Sequence, residues 1–414
     1  MSAGLEARLL RLQVEGRLPS IVGALVRDGE VVETAGIGAE PGTAYRIGSI
    51  TKTLTAVLVL QLRDAGRLSL ADPLGAHLPG APYGEVSIAD LLGHTGGLQS
   101  EPAGPWWERS EGGSFADLQA ANDGTGAVAP AGSWFHYSNL GYGLLGEVVA
   151  RAHGTTWWST VADRLLSPLG MSRTTYAPVA PHADGFSVEH FTGRLTPEPL
   201  TDTGAMAAAG QAWSTLADLA RWSRVLAGRC PEVLAPATAA EMATERAGSG
   251  YGLGLRLVEV AGRPWCGHTG SMPGFLASLF VDPARADATV VLSNATTGLA
   301  CEAVPETLTA QREAAPPEAP WQPTLRVPEA AADALGLWFW GNTAIEHRWH
   351  DGGLEQRHLQ GGAAGSRFEL RDGRLVGVRG YHRGEVLTVH PTHLECATFI
   401  HTRVPYDPRA PIPG

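Results

Sequence analysis

Lysine is all but missing from this chain. Of the 31 lysines and arginines in 414 residues, only Lys52 is a lysine. Arginine does not give up its proton in a protein, so any chemistry that needs a titratable amine has one address. Cysteine is scarce too: Cys230, Cys266, Cys301 and Cys396 lie far apart. Without paired spacing they make neither a disulfide framework nor a recognisable metal motif, and they read as buried free thiols of a reducing compartment. Positive charge runs short of negative, with a net charge of −11. No basic stripe is available to track phosphates, which excludes nucleic acid as a partner. No apolar run reaches the ~18–20 residues of a membrane helix, so no membrane partner is expected. Between Met1 and Ser20, Glu6, Arg8, Arg11 and Glu15 interrupt the leucines, which gives an amphipathic helix rather than an export signal. The expectation is a soluble, cytoplasmic protein. With 44% hydrophobic residues over this length, two domains are expected.

Along the chain, Ile21 to Val26 and Val31 to Thr34 flank Asp28-Gly29, a hairpin signal. A helix starting near Ser49 is apolar nearly all round and should be buried, with Gly66 as its stop. Ser87 opens a short helix over 88–92. The stretch from Gln99 to Ser133 is rich in Gly, Pro and Ala and reads as a long surface excursion. Helices follow over 140–153 and 156–166, then one capped by Ser214. From Tyr251 the period becomes that of strands: 251–258, 265–268, 275–281 and 289–292. A helix over 301–312 closes this part. The pattern predicts an α/β sandwich, an antiparallel sheet with helices on both faces plus a helical subdomain, spanning 1–314. Pro316, Pro317, Pro320, Pro323 and Pro328 mark a linker at 315–330. Residues 331–414 alternate strand-like pieces with Asp351-Gly352-Gly353, Gly361-Gly362 and Asp372-Gly373 turns. They read as a small all-β barrel or sandwich, with Trp338, Trp340 and Trp349 in or near its core.

Three constellations carry chemistry. Ser49 stands three residues before Lys52 at a helix start, which sets hydroxyl and amine on one face a turn apart. A neutral Lys52 can take the hydroxyl proton and make serine a nucleophile. Tyr137-Ser138-Asn139 precedes a helix. A tyrosine hydroxyl beside an ammonium can be depressed in pKa and exchange protons, and an asparagine amide offers a donor and an acceptor to a substrate amide. A buried tyrosine with an asparagine helix cap is the structural alternative. Gly267-His268-Thr269-Gly270-Ser271 lies between two strands, where an extended substrate can add alongside and the Ser271 N–H can help hold an oxyanion. His94-Thr95-Gly96 carries the same three letters but follows a short helix. The site is assigned to His268, and His94 is read as structural or supporting.

Together, Ser49-x-x-Lys52, Tyr137-x-Asn139 and His268-Thr269-Gly270 resemble the serine β-lactamase and penicillin-recognising family, in its branch of class C β-lactamases, DD-peptidases, esterases and D-aminopeptidases. The resemblance covers about residues 5 to 312. It implies Ser49 as the acylated nucleophile, Lys52 as its activating amine and Tyr137 as partner base and later acid. It implies Asn139 as orienter of the substrate amide, His268-Thr269-Gly270 as the substrate-flanking strand, and the Ser49 and Ser271 N–H groups as the oxyanion hole. Histidine stands where class C β-lactamases have lysine, which disfavours efficient β-lactam hydrolysis and makes carboxylate binding more sensitive to pH. Arg256 occupies the place of a carboxylate-binding arginine in the DD-peptidase branch; a solvated edge-strand arginine is the alternative. Trp106-Trp107 offers an apolar wall for the acyl group, or simple packing.

The expected activity is that of a serine hydrolase or acyltransferase acting on ester, amide or thioester bonds of peptide-like substrates, D-configured ones among them. One alternative is release or cyclisation of non-ribosomal peptides from a carrier protein, as in penicillin-binding-protein-type thioesterases, whose small lipocalin-like C-terminal domain this chain's end resembles. Arg403 would then be a candidate for a cross-domain contact, or else a plain surface arginine. A β-lactamase or DD-carboxypeptidase is another alternative, and a non-catalytic sensor or scaffold a third. No metal or organic cofactor is expected.

Overall fold

The computed structural model describes residues 3–310, 317, 319–360, 364–407, 409 and 411. The chain divides into two compact units, one of Met1–Ser187 with Pro197–Trp321, the other of Val188–Thr196 with Gln322–Gly414. Between Trp321 and Gln322 the chain passes from the first unit to the second. The excursion of residues 188–196 into the second unit left no trace in the sequence, because it is held by distant partners: His190 pairs with Glu346, and the Trp349 N–H donates to the Phe191 carbonyl at 2.7 Å.

In the first unit, helix α1 (Ala3–Gly16) precedes the hairpin β1 (Ile21–Arg27) and β2 (Glu30–Ile37). Its turn has Asp28 at φ 48° and Gly29 at φ 80°, the left-handed pair that matches strand twist. The buried helix α2 (Thr51–Asp64) follows, then α3 (Asn139–His153) and α4 (Leu216–Leu226). The late strands are β3 (Arg256–Val260), β4 (Arg263–Met272), β5 (Phe275–Asp282) and β6 (Asp287–Ser293), before α5 (Val304–Thr309). The sheet has six strands in the order β2-β1-β6-β5-β4-β3, every pairing antiparallel. Leu9 of α1 lies so close to one face that a Cβ on Gly23 would sit 2.9 Å from it. Val22, Ala24, Val26, Val290 and Leu292 turn to the other face and join the main core with α4.

Helix α2 is buried along nearly its whole length, and its threonines serve as partners inside that core. Thr53 Oγ1 accepts from the Trp222 indole at 2.7 Å, Thr55 Oγ1 from the Trp157 indole at 3.1 Å, and Thr51 Oγ1 from the Ala212 N–H at 3.2 Å. A buried polar group left unpaired would cost ~1–3 kcal/mol, so these bonds hold α2 in one register.

Some local expectations shift. Thr215, not Ser214, caps α4 by accepting from the Asp218 N–H. Strand β3 starts only at Arg256, because Gly254 at φ 81° turns the chain and Tyr251–Leu255 is a buried loop. The Gly/Pro-rich excursion contains a helix, Phe115–Ala121, opened by a Ser114–Asp117 capping box. The closing helix gives a 3₁₀ turn at Cys301–Ala303 and then α5; Gln311 and Arg312 lie outside the described residues.

The second unit is a closed barrel of eight strands: β7 (Gly336–Trp340), β8 (Thr343–His350), β9 (Gly353–His358), β10 (Ala364–Arg371), β11 (Arg374–Arg379), β12 (Val386–Val389), β13 (His393–Cys396) and β14 (Phe399–Thr402). Its Asp351-Gly352 and Asp372-Gly373 turns again have positive φ at both residues, while Gly361-Gly362 lies outside the described residues. Trp338, Trp349, Leu354, Phe368, Leu375, Leu387, Leu394 and Cys396 fill its core. Trp340 is instead 45% exposed and packs on Phe399. Among the described residues no helix is long and apolar enough to cross a membrane.

Candidate active site

Ser49 sits in a single 3₁₀ turn, Gly48–Ile50, that runs directly into α2. Gly48 has φ 51°, and a Cβ there would stand 2.6 Å from the Ser271 nitrogen; one on Gly270 would stand 2.0 Å from the Ile47 carbonyl. Two glycines therefore let the end of β4 lie against the serine turn, which brings the Ser49 and Ser271 backbones together.

Lys52, one turn on, is fully buried; its Nζ lies 2.7 Å from both Ser49 Oγ and the Ala209 carbonyl oxygen. It sits 5.1 Å from the centre of the Tyr137 ring and 5.6 Å from that of Tyr142. Burial lowers its pKa to about 7, with Glu101 and Glu108 opposing and Arg256 assisting. An amine poised there can be neutral near neutral pH and accept the Ser49 proton.

Tyr137 also faces Ser49 and is hydrogen-bonded to it. The expected depression of its pKa is not found: burial raises it, and that outweighs the Ser49 bond and Arg256. Burial thus favours the protonated phenol of Tyr137 and the neutral amine of Lys52. Ser138, not Asn139, caps α3, accepting from the Gly141 N–H at 3.1 Å. Asn139 is thereby free for other work. Its Nδ2 donates to both oxygens of Glu101, at 2.8 and 3.0 Å, and its buried Oδ1 has no partner. An orphaned buried acceptor of this kind can take a substrate N–H.

His268 departs from expectation. It is fully buried, its Nδ1–H donates to the Thr269 carbonyl at 2.6 Å, and its Nε2 accepts from the Tyr251 hydroxyl at 3.0 Å. Burial, Arg256 and Lys52 hold its pKa well below the usual range. A neutral ring with both nitrogens engaged is no pH-sensitive carboxylate ligand; it fixes β4 and Tyr251. From His268 to the end of that strand, Thr269 and Ser271 are the accessible residues. Arg256 stands in the site, its guanidinium carbon 5.5 Å from the Tyr137 ring centre. Its Nη1 pairs with Glu302 at 2.6 Å, and its buried Nε has no partner. Arg403 belongs to the second unit, where it donates to the Leu335, Leu337 and Asp333 carbonyls and stacks 3.6 Å over Trp338. It is spent on barrel structure.

His94 lies beneath the site. Its Nδ1 accepts from the Ser138 N–H at 3.1 Å, and its ring centre is 4.2 Å from that of Tyr137. It positions the tyrosine loop, the supporting role assigned to it. Glu101 escaped the sequence reading, since its link to Asn139 joins residues 38 apart and no local pattern marks it. Trp107 donates to Glu101 at 2.6 Å and is buried beside Gly210, whereas Trp106 is 60% exposed under Arg109.

The family model described as Beta-lactamase matches residues 5–314, and one described as a domain of unknown function (DUF7586) matches residues 327–403. Penicillin-binding protein 4 of Amycolatopsis lactamdurans is 29% identical over 325 residues, covering 70% of this chain and 84% of that protein. The crystal structure of a D-stereospecific amidohydrolase from Streptomyces sp. superposes with TM-score 0.65 at 26% identity, over 74% of this chain and 99% of the other. SurE, also solved with D-Leu, superposes with TM-score 0.63 at 25% identity, over 97% and 98%. With a serine turn, a buried amine and a flanking strand assembled inside the matched region, the chain belongs to the beta-lactamase family, a family of serine hydrolases.

Proposed function

We propose that the protein is an acyl-enzyme hydrolase of amide or ester bonds in peptide-like substrates, with Ser49 as nucleophile. The carrying observation is Lys52: the sole lysine, fully buried, 2.7 Å from Ser49 Oγ and with its pKa brought to about 7. Lys52 takes the Ser49 proton as Oγ bonds to the substrate carbonyl carbon. The oxyanion is held by the Ser49 and Ser271 N–H groups. As the C–N or C–O bond breaks, Tyr137 passes its hydroxyl proton to the leaving group and is reprotonated from the Lys52 ammonium. Water then attacks the acyl-enzyme through the same groups in reverse. Asn139 Oδ1 accepts from the substrate amide, and Arg256 pairs with a substrate carboxylate.

Likeness to the D-stereospecific amidohydrolase supports D-configured substrates. A second reading, transfer of a carrier-bound peptidyl group to an amine, is supported by the pairing of this catalytic unit with a closed eight-stranded barrel, the architecture that resembles penicillin-binding-protein-type thioesterases. The test is a panel of p-nitrophenyl esters, D- and L-amino-acid amides, a chromogenic cephalosporin and peptidyl thioesters, with intact-mass detection of the Ser49 adduct. Turnover of D-amides to free acid supports hydrolysis, and cyclic or aminolysed product from thioesters supports transfer. Equal labelling and turnover by Ser49→Ala would overturn both.

A further inference from the structure

The barrel carries a cluster of donor groups unconnected with the serine chemistry. His382 lies in the loop between β11 and β12, Glu385 immediately precedes β12, and Cys396 ends β13. Cys396 pairs in register with Leu387, so the thiol and the Glu385 side chain meet at one end of the β12–β13 pair. His382 Nδ1 is 2.7 Å from Glu385 Oε2, Cys396 Sγ is 3.8 Å from that same oxygen, and all three ligand atoms lie within 4.8 Å of one another. His382 is held in place: its backbone N–H donates to Ser366 Oγ at 3.2 Å, and its ring stacks on Phe368 and meets Phe399 edge-on. Cys396 is fully buried. A cavity of about 470 Å³ lies against His382, walled by Trp340, Tyr381, Phe399 and His401.

We propose that His382, Glu385 and Cys396 bind a zinc ion, with water or a small ligand from the cavity in the fourth position. One nitrogen, one oxygen and one sulfur donor suit a borderline-soft divalent ion and disfavour magnesium and calcium. The edges of a tetrahedral zinc site are roughly 3.3–3.6 Å from its usual bond lengths, so the His382–Glu385 pair must open by under ~1 Å and the remaining edges close by at most about 1 Å. On binding, the Cys396 S–H bond gives way to S–Zn and its proton leaves to solvent; nothing is oxidised or reduced.

The test uses the full chain, stripped with a chelator and titrated with Co²⁺ as a spectroscopic substitute. The expected result is one equivalent bound with a near-ultraviolet thiolate-to-cobalt charge-transfer band, which Zn²⁺ then displaces. Cys396→Ser should remove the band. His390→Ala should keep it, since the half-buried His390, His393 and Glu395 group contains no thiol. No band in the wild type, or an unchanged one in Cys396→Ser, would overturn the proposal. Should that variant fail to fold by circular dichroism, Glu385→Gln, at an exposed carboxylate, decides: a tenfold or greater loss of Co²⁺ affinity supports the site, and unchanged affinity refutes it. Ser49 labelling in the same samples should not change, which separates this outcome from the fate of the hydrolase reading.

Discussion

Lys52 and Tyr137 differ in what burial does to them. Leaving water disfavours the charged form of each, so the amine moves down toward neutrality and the phenol moves up away from ionisation. The Lys52 pKa is thus set by desolvation, and the surrounding charges tune it. kcat/KM should rise with pH through an inflection near 7 as Lys52 loses its proton. Glu101 raises the Lys52 pKa and Arg256 lowers it. Glu101→Gln should therefore shift the inflection to lower pH and Arg256→Gln to higher pH, read from pH–rate profiles on a neutral ester that neither side chain needs to bind. Lys52→Arg keeps a cation but cannot supply a base. It should lose acylation nearly as fully as Ser49→Ala, measured by intact-mass labelling, and should destabilise the fold by about 3 kcal/mol through an unneutralisable buried charge. The lone lysine was legible because composition singles it out. The state of His268 was not: the letters His-Thr-Gly occur twice, and whether an imidazole is a solvent-facing ligand or a buried strut depends on the Tyr251 loop folded over it.

Elements whose geometry is written locally were readable. The Asp-Gly hairpin turns, the apolar α2 and the Ser87-capped helix all appear where residue patterns place them, since each is decided within a few residues. Elements decided by distant partners were not. Strand β3 starts late, and residues 188–196 join a unit whose remaining sequence begins more than a hundred residues later. The metal-type cluster in the barrel hid for the same reason, being assembled by register across β12 and β13 rather than by a short spacing of ligands. The contact between the serine turn and β4 is where element geometry becomes chemistry. Gly48→Ala adds a Cβ that would stand 2.6 Å from the Ser271 nitrogen, at a φ of 51° that side chains disfavour. Strand and turn must separate, and a misplacement near 1 Å at a reacting centre costs on the order of 100-fold. The expected outcome is a folded variant with kcat/KM down about 100-fold, while Gly373→Ala, with open space around its Cβ, should leave kcat/KM unchanged.

The two units have separate hydrophobic cores, so each can respond to pH through the groups its own core encloses. In the barrel, burial holds the pKa of His347 down to about 3 and that of His401 down to about 4. Both rings are free to take a proton once the chain unfolds, at their ordinary value of about 6.5. Above that value the two states bind the same number of protons at these sites, and neither histidine affects stability. As the pH falls below it, the unfolded barrel takes up protons that the folded one refuses, and stability drops. With both histidines protonated only in the unfolded state, the slope approaches about 2.7 kcal/mol per pH unit, and it levels off below the folded-state values. Glu346 adds to the loss at the acid end. Burial alone would raise its pKa, but Arg348 and His190 hold it down, so their contribution disappears as the carboxylate protonates. Thermal unfolding of the full chain between pH 7 and 4.5, followed by the fluorescence of the barrel tryptophans, should therefore show a steep fall in melting temperature. His401→Phe removes one of the two protons from the balance, and the slope of barrel stability against pH should fall by about half over that range. An unchanged slope in a folded His401→Phe variant would mean that the barrel's acid sensitivity lies elsewhere.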